Sequence, residues 1–447
     1  MKLIKRHKPT HTQIIVLMFL TVILIGSFLL TLPVSAKARG WTSPLDAVFT
    51  ATSATCVTGL VVFDTYSHWS VFGQVVILCL IQIGGIGFMS IVSIFSLFLR
   101  RKIGLNERQL LAQSSGMLHL GGIVRILKKI ALGTLLFEGI GTVLLSFRFC
   151  PHMGFLSGIY NALFHSVSAF CNAGFDLMGK FGNYSSLTTF ANDPVVCLTI
   201  TALIIVGGLG FLVWNDVNQH KLHFHRYTLH TKIVLTVTGA LLIIAFLGFL
   251  LMEFNRSMDG MSMPEKLMNA LFQAATPRTA GFNTMDQAQL SEPGKMLTML
   301  LMFIGGSPGS TAGGIKTTTM LVLILSAMTL SRRKQHVALF RRRLTDDTVR
   351  NANAIFAVYI GIVLAAVCLI GVVEPFSLFD IMYEVISAIC TVGLTTGITP
   401  ALGPFSRVIV ALLMFVGRVG LTTLVMALHG KRQENAQERI PEKIIIG

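Results

Sequence analysis

The stretch Thr55-Cys-Val-Thr-Gly59 decides the fold, because three later segments repeat its pattern of small and polar residues ending in glycine. The other three are Phe170-Cys-Asn-Ala-Gly174, Pro277-Arg-Thr-Ala-Gly281 and Cys390-Thr-Val-Gly393. Each is followed by an apolar stretch with a glycine pair or its counterpart, at Gly84-Gly-Ile-Gly87, Gly207-Gly-Leu-Gly210, Gly305-Gly-Ser-Pro-Gly309 and Gly417-Arg-Val-Gly420. The offsets from the first glycine to the second are 25, 33, 24 and 24 residues. This self-similarity predicts one structural unit copied four times.

The composition is that of an integral membrane protein. Of the 447 residues 53% are hydrophobic and only 13% are charged, whereas soluble domains carry about 25% charged residues. Residues 9–36, 65–99 and 194–215 contain no Asp, Glu, Lys or Arg, and each is long enough to cross a bilayer as a helix. The first of these stretches is too long for the apolar core of a signal peptide, so we expect it to be retained as the first membrane helix.

The distribution of charge predicts the orientation in the membrane. The net charge is +16, and the basic residues cluster at the termini and between the four copies, which the positive-inside rule places in the cytoplasm. We interpret these clusters as orientation signals rather than as a nucleic-acid-binding surface. Twelve of the 20 acidic residues lie near the opposite side. They either concentrate cations there or result from the exclusion of Lys and Arg from the outer loops.

Each copy is predicted to contain a membrane-spanning helix (M1), a half-length segment (P), a glycine segment and a second spanning helix (M2). The predicted copies cover residues 1–115, 116–225, 226–345 and 346–447. In the first copy, Pro44 and Asp46 suit the first turn of the half-length helix. Such a segment is too short to span and is predicted to be re-entrant, either buried in protein or lining water.

The resulting fold class is an all-α membrane protein with eight transmembrane helices and four re-entrant segments around one pseudo-fourfold pore. Two crossings per copy give all four copies the same orientation, with both termini in the cytoplasm. The inverted repeats of many secondary transporters require an odd number of crossings per copy. The even number of crossings per copy therefore favours a pore over a secondary transporter built from inverted repeats.

The glycine segments suit the binding of a dehydrated cation. A ring of backbone carbonyls can replace the water shell of an ion, and glycine adopts the backbone angles that this requires without a steric penalty. The alternative is that these glycines only allow close packing of helices. The candidate ion-binding residues are Thr55, Cys56, Val57, Thr58, Gly59, Asn172, Ala173, Gly174, Arg278, Thr279, Ala280, Gly281, Thr391, Val392 and Gly393.

The second helix of the third copy is predicted to be broken, and the family resemblance described below implies that the broken segment is a gate. Pro308 removes a backbone donor, and each nearby glycine costs about 1 kcal/mol in a helix; a structural kink without a gating role is the alternative. The candidate gating residues are Gly305, Gly306, Ser307, Pro308, Gly309, Ser310, Thr311, Ala312, Gly313, Gly314, Lys316 and Arg418. The stretch nearly matches a phosphate-binding loop, but Ile315 separates Gly314 from Lys316, so we do not expect a nucleotide here.

Arg418 stands where the first two copies have Gly85 and Gly208. A charge inside a membrane is costly and marks a functional candidate. Arg418 would repel a cation that has passed the glycine segments and would restrain the broken segment. The alternative is that it only pairs with carbonyls at helix ends. Glu138 is likewise either a functional carboxylate or a packing residue. His220, His223, His225 and His230 crowd one loop, but without a Cys or carboxylate at ligand spacing they give little support to a metal site.

These motifs resemble the Trk/Ktr/HKT superfamily of potassium transporters, and the resemblance covers nearly the whole chain. The most specific pieces are Thr55-Cys-Val-Thr-Gly-Leu60, Asn172-Ala-Gly-Phe175, Thr276-Pro-Arg-Thr-Ala-Gly-Phe282 and Thr391-Val-Gly-Leu394. With no additional helices before the first copy, the chain looks more like the membrane subunit of a bacterial Ktr system (KtrB/KtrD type) than the longer Trk type. Glycine at all four filter positions favours K⁺, because serine at the first position goes with sodium selectivity in the plant branch.

The resemblance also implies which ions the protein uses and which partners it has. K⁺ would be the substrate and Na⁺ an activator, with no covalently bound cofactor. The chain would form a homodimer in the cell membrane, each monomer with its own pore, on a cytoplasmic ring of RCK subunits (KtrA/KtrC type) that bind the nucleotide. An enzyme is not expected, since the sequence has no Ser/His/Asp, HExxH or paired-carboxylate arrangement. The alternative function is a secondary active transporter of another cation or small solute that uses the broken helix as its binding site.

Overall fold

The computed structural model describes residues 10–87, 123–221, 223–333, 336–340 and 342–429, and these residues are mostly helical. The α-helices are α1 (His11–Thr31), α2 (Pro44–Thr55), α3 (Thr65–His68), α4 (Val71–Ile86), α5 (Ile123–Met153), α6 (Phe155–Phe170), α7 (Pro194–Leu209), α8 (Phe211–His220), α9 (Leu229–Glu253), α10 (Met263–Ala275), α11 (Glu292–Phe303), α12 (Thr317–Ser331), α13 (Asp346–Val373), α14 (Leu378–Ile389), α15 (Pro404–Val419) and α16 (Leu421–His429). Short 3₁₀ turns cover Pro33–Ser35, Met178–Lys180, Thr188–Phe190, Phe224–Arg226, Gln287–Gln289 and Thr399–Ala401. Two short strands, β1 (Ala338–Leu339) and β2 (Arg342–Arg343), pair antiparallel.

Four long helices form the outside of the molecule. They are α1, the apolar part of α5 from Leu127, α9 and α13, and their apolar stretches of 21–28 residues can each cross a membrane. Only 28–33% of the most apolar window in each is buried inside the protein, so most of their surface is available to lipid. The bent pair α7 and α8 is a fifth candidate span. The count of eight crossings therefore stays a prediction.

A short helix follows each long one and lies inside the molecule. These helices are α2, α6, α10 and α14, with 12, 16, 13 and 12 residues. Each has a fully buried aromatic side chain, at Phe49, Phe164, Phe272 and Tyr383 respectively. The predicted start of the first short helix is confirmed, since Pro44 lies in the first turn of α2 with Asp46 beside it. Proline fits there because its missing N–H would have no partner in that turn.

Polar contacts join the end of a long helix to the start of the helix that follows the short one. Arg148 Nε of α5 lies 2.5 Å from Asp193 Oδ2 at the start of α7. Glu253 at the end of α9 accepts a hydrogen bond of 3.1 Å from the backbone N–H of Ser291, before α11. Glu374 after α13 accepts one of 2.8 Å from Gly403, before α15. Each contact closes one helix–short helix–helix unit at one end.

A glycine in the left-handed region follows each of the helices α4, α7 and α15, and another lies in the irregular segment between α11 and α12. These glycines are Gly87 (φ +87°), Gly210 (φ +94°), Gly309 (φ +71°) and Gly420 (φ +84°), and α7 meets α8 at 94°. Glycine tolerates this conformation because it has no Cβ. The predicted break in the third copy is confirmed, but it is not confined to that copy.

Candidate functional site

Four loops that share two left-handed positions follow the C-terminal ends of the short helices. We call them the glycine loops; they comprise residues 55–59, 170–174, 277–281 and 389–393. In each, the residue two before the glycine is left-handed, namely Val57 (φ +57°), Asn172 (φ +59°), Thr279 (φ +67°) and Thr391 (φ +51°), and so are Gly59, Gly174, Gly281 and Gly393. Non-glycine residues rarely adopt this region. The same strain at the same place in all four loops indicates a common functional constraint.

Hydroxyl side chains hold the glycine loops, which the sequence interpretation missed. The N–H of Gly59 donates to Ser53 Oγ and that of Gly393 to Ser387 Oγ, both at 3.1 Å. Ser168 Oγ donates to the carbonyl of Phe175 at 2.7 Å, and Thr276 Oγ1 donates to the carbonyl of Phe282. The sequence does contain a signal for these contacts, since a serine stands six residues before the glycine in three of the four loops.

The four glycines close a ring in chain order. A methyl group placed on Gly59 would lie 2.5 Å from the carbonyl oxygen of Ala173, and one on Gly174 would lie 2.8 Å from that of Ala280. On Gly281 the methyl group would lie 2.5 Å from the oxygen of Val392, and on Gly393 it would lie 2.1 Å from that of Thr58. Every glycine thus abuts the carbonyl that precedes the next glycine. This glycine ring leaves no room for a side chain at any of its four positions.

A cavity of about 370 Å³ opens on one side of the glycine ring and touches all four glycines. Its wall carries three carboxylates, those of Asp64, Asp176 and Asp286. They accept backbone N–H bonds from Ser67, Met178 and Ala288 at 2.7, 2.9 and 3.0 Å. Among the residues that the structure describes, none of the three has a cationic group within 4.0 Å.

The surroundings of one of these carboxylates, Asp176, change its pKa. Burial raises the pKa of Asp176 to about 7, the backbone N–H of Met178 opposes that rise, and the charge of Asp64 adds to it. Asp64 and Asp286 add two further carboxylates to the wall of the cavity. A cleft lined by one sign of charge raises the local concentration of the opposite ion. The cavity is therefore suited to collect cations in front of the glycine ring.

On the other side of the ring, residues 305–316 run as an irregular loop that we call the crossing loop. Its backbone binds the break between α7 and α8: Ser307 N–H donates to Gly208 O at 3.1 Å, and Phe211 N–H donates to Gly309 O at 2.9 Å. Thr311 Oγ1 donates to the carbonyl of Phe170 at 3.3 Å. A methyl group on Gly313 would overlap the side chain of Thr391. The crossing loop thus packs directly against the second and fourth glycine loops.

Two cationic side chains hold the crossing loop through carbonyl oxygens. Arg418 donates to the carbonyls of Thr311 and Gly84 through Nη1 and Nη2, and Nη2 also lies 3.3 Å from Gly85 O. Lys316 Nζ donates to Ala312 O at 2.7 Å. Gly84 and Gly85 belong to the last turn of α4, so Arg418 ties that helix end to the crossing loop. The sequence leaves two alternative roles for Arg418 open, pairing with helix-end carbonyls and restraint of the broken segment. The observed hydrogen bonds are compatible with both roles.

Three further residues from the sequence interpretation lie away from the ring. Arg278 belongs to the third glycine loop, but its Nη2 donates to Thr238 Oγ1 of α9 at 3.2 Å, which directs its side chain outward. Glu138 accepts hydrogen bonds from Gln82 Nε2 at 3.0 and 3.1 Å. His220 Nε2 lies 3.6 Å from Asp216. Across the described residues, no group of three or more His, Cys, Asp or Glu is placed to hold a metal ion.

Comparison with known proteins identifies relatives over the whole chain. The family model described as "TrkH: Cation transport protein" matches residues 2–438. The chain is 39% identical over 450 residues to the potassium/sodium uptake protein NtpJ of Enterococcus hirae, covering 99% of this chain and 98% of that protein. It is 39% identical over 437 residues to the Ktr system potassium uptake protein B of Bacillus subtilis, covering 97% and 96%. In fold it is similar to the potassium transporter TrkH of Vibrio parahaemolyticus, with a TM-score of 0.73, 19% identity and coverage of 96% of this chain and 86% of that chain.

Proposed function

The chain belongs to the TrkH family of cation transport proteins and is a membrane-embedded cation uptake transporter of the Ktr/TrkH type; from this premise we propose that K⁺ crosses the membrane through the glycine ring. The observation that carries the proposal is the ring itself, in which four glycine loops share two left-handed positions and abut one another through their carbonyls. Such carbonyls replace the water shell of a dehydrated K⁺. The candidate ion-binding residues of all four loops are assigned to this filter.

The short helices favour a cation in the ring. Each glycine loop follows the C-terminal end of α2, α6, α10 or α14, where the helix dipole is equivalent to about half a negative charge. In this proposal each short helix is a re-entrant pore segment between an M1 and an M2 helix. The predicted copies at residues 1–115, 116–225, 226–345 and 346–447 then form four M1-P-M2 units around one pore, with both termini in the cytoplasm.

The crossing loop and Arg418 form the gate in this proposal. Residues 305–316 lie next to the second and fourth glycine loops and are bound to the breaks of neighbouring helices. A cation leaving the ring on this side meets Arg418, whose positive charge opposes its passage. Opening then requires the crossing loop to leave its contacts with Gly207, Gly208 and Phe211 and Arg418 to release Thr311.

The names of two relatives support the proposal of sodium activation and of a regulatory partner. One relative is named a potassium/sodium uptake protein and another is a component of a Ktr system. We propose that this chain forms a homodimer in the cell membrane and is activated by Na⁺. We also propose that it is controlled by a separate cytoplasmic ring of RCK subunits that bind the nucleotide.

Potassium uptake by cells that lack their own uptake systems tests the proposed function. Expression of this chain with its regulatory subunit should restore growth at low external K⁺, and addition of Na⁺ should increase the rate of uptake. Purified protein in proteoliposomes should then carry K⁺ in preference to Na⁺. If the cells instead accumulate another solute and the proteoliposomes show no K⁺ flux, the proposed function is wrong.

A further inference from the structure

Arg278 breaks the chemical equivalence of the four glycine loops. It stands three residues before Gly281, where the other three loops have Cys56, Cys171 and Cys390 before their own glycines. The residue that follows is left-handed in every loop, although the helix ends directly before the cysteine in three loops and three residues before Arg278 in the third. Three of the loops thus carry a neutral thiol at this position and one carries a guanidinium.

The guanidinium of Arg278 is a buried charge without a counter-ion. The residue is 6% exposed, and arginine keeps its proton inside proteins. Its Nη2 donates to Thr238 Oγ1, and its Nε has no hydrogen-bond partner. Within the part of the chain that the structure describes, no carboxylate lies within 4.0 Å of it. A buried charge that lacks a partner is costly, which makes a functional role the first interpretation of it.

Arg278 lies just after the C-terminal end of one short helix, α10. The short helix α10 ends at Ala275, and the N–H of Arg278 donates to the carbonyl of that residue at 3.2 Å. A cation next to a helix C-terminus offsets the partial negative charge there. Cysteine cannot do so at the ends of α2, α6 and α14. The charge of Arg278 therefore makes the end of α10 less negative than it would be with a cysteine at this position.

A second cation near the glycine loops, Arg418, is held differently. Arg418 lies near Cys56 and Cys171, but the carbonyls of α4 and of the crossing loop bind its donors. Its position therefore depends on the state of the crossing loop. Arg278 is part of a glycine loop, and its guanidinium is bonded to Thr238 of α9.

We propose that Arg278 tunes the affinity of the ring for K⁺, weakening it by offsetting the dipole of α10 so that the bound ion is released quickly. Conduction requires binding that is favourable enough for entry and weak enough for exit. The inference rests on the proposed function, because it assumes that K⁺ occupies the ring. It adds a residue whose side chain acts on the ion by its charge, without contact.

Two kinds of variant separate charge from hydrogen bonding. Arg278→Gln removes the charge, and Thr238→Glu leaves the arginine in place but puts a carboxylate next to it. Both should lower the apparent KM for K⁺ about two- to fivefold in proteoliposomes and reduce the maximal flux. Arg278→Lys retains a positive charge and should keep the high KM. Thr238→Val removes the hydrogen bond but not the charge, and it should shift KM less than Arg278→Gln.

Three results overturn the inference. Equal KM shifts in Arg278→Gln and Arg278→Lys would mean that the shape of the guanidinium matters and its charge does not. A shift in Thr238→Val as large as that in Arg278→Gln would assign the effect to the lost hydrogen bond. An unchanged KM in Thr238→Glu overturns it even where Arg278→Gln fails to fold. Absence of K⁺ flux in the wild-type protein would instead refute the proposed function.

Discussion

Replacement of Gly393 by alanine tests whether the glycine ring coordinates K⁺ through its carbonyls. The added methyl group would lie 2.1 Å from the carbonyl oxygen of Thr58 and 3.0 Å from the Cα of Gly59. A carbon atom and an oxygen atom normally approach to about 3.3 Å, so the carbonyl of Thr58 has to move by about 1.2 Å. Both neighbours are backbone atoms and cannot rotate away as a flexible side chain does. The first glycine loop therefore shifts as a whole.

The displacement is large compared with the precision that a binding site requires. Ligands have to be held within about 0.5 Å of the productive geometry, and a carbonyl that moves by more than twice that distance no longer fits K⁺. We expect the preference for K⁺ over Na⁺ to fall about tenfold, which corresponds to about 1.4 kcal/mol. The assay is the flux of each ion into proteoliposomes that contain equal amounts of folded protein.

Gly397→Ala is the matched control for this variant. Gly397 has nearly the same backbone angle, with φ +98° against +91°, but a methyl group there meets no atom within 4 Å. Both variants carry the cost of a left-handed alanine, about 1–2 kcal/mol, and both should unfold at a lower temperature. Only Gly393→Ala should lose selectivity. Wild-type selectivity in Gly393→Ala would refute the carbonyl ring, and equal losses in both variants would assign the effect to backbone strain.

Three further predictions concern the gate, the buried carboxylate and the cavity. Arg418→Gln removes the guanidinium contacts to the crossing loop and to α4, so K⁺ flux should rise and respond less to the regulatory subunit; unchanged flux would exclude Arg418 from the gate. Glu138→Ala leaves the amide of Gln82 without its acceptor and should destabilise the protein by about 1–3 kcal/mol, whereas Glu138→Gln keeps an acceptor and should cost less; thermal unfolding in detergent compares them, and equal losses would contradict this account. Because burial raises the pKa of Asp176 to about 7, the carboxylate takes up a proton as the pH falls through that value, the cavity loses negative charge, and the apparent KM for K⁺ should rise. Asp176→Asn should remove this pH dependence, and an identical profile in that variant would assign it to another group.

The elements that could be predicted depend on local properties of the chain. Pro44 and Asp46 set the start of α2, because the restricted φ of proline and an acid near the helix N-terminus act within one turn. Gly59, Gly174, Gly281 and Gly393 could be aligned because only glycine fits where each loop abuts the next. In both cases the physical requirement falls on the residue itself, so a single sequence contains the signal.

The features that the sequence interpretation missed depend on distant residues or on an ambiguous residue type. Arg418 binds Gly84, which lies 334 positions away in the chain, and nothing local to either residue indicates the other. Gly87 and Gly420 end their helices, but a glycine in an apolar run is equally compatible with close helix packing. Ser53 was overlooked for a similar reason, since a small residue in a buried helix is usually a packing residue and here it binds the N–H of Gly59.

The breaks in the inner helices have a mechanical consequence. A force applied to α8 or α16 bends the chain at the hinges Gly210 and Gly420 before it tilts α7 or α15, because a helix transmits bending only while it is continuous. The crossing loop receives that force directly, since the first residue of α8, Phe211, is bonded to Gly309. Movements imposed from that end of the molecule are therefore delivered to the crossing loop before they reach the glycine ring.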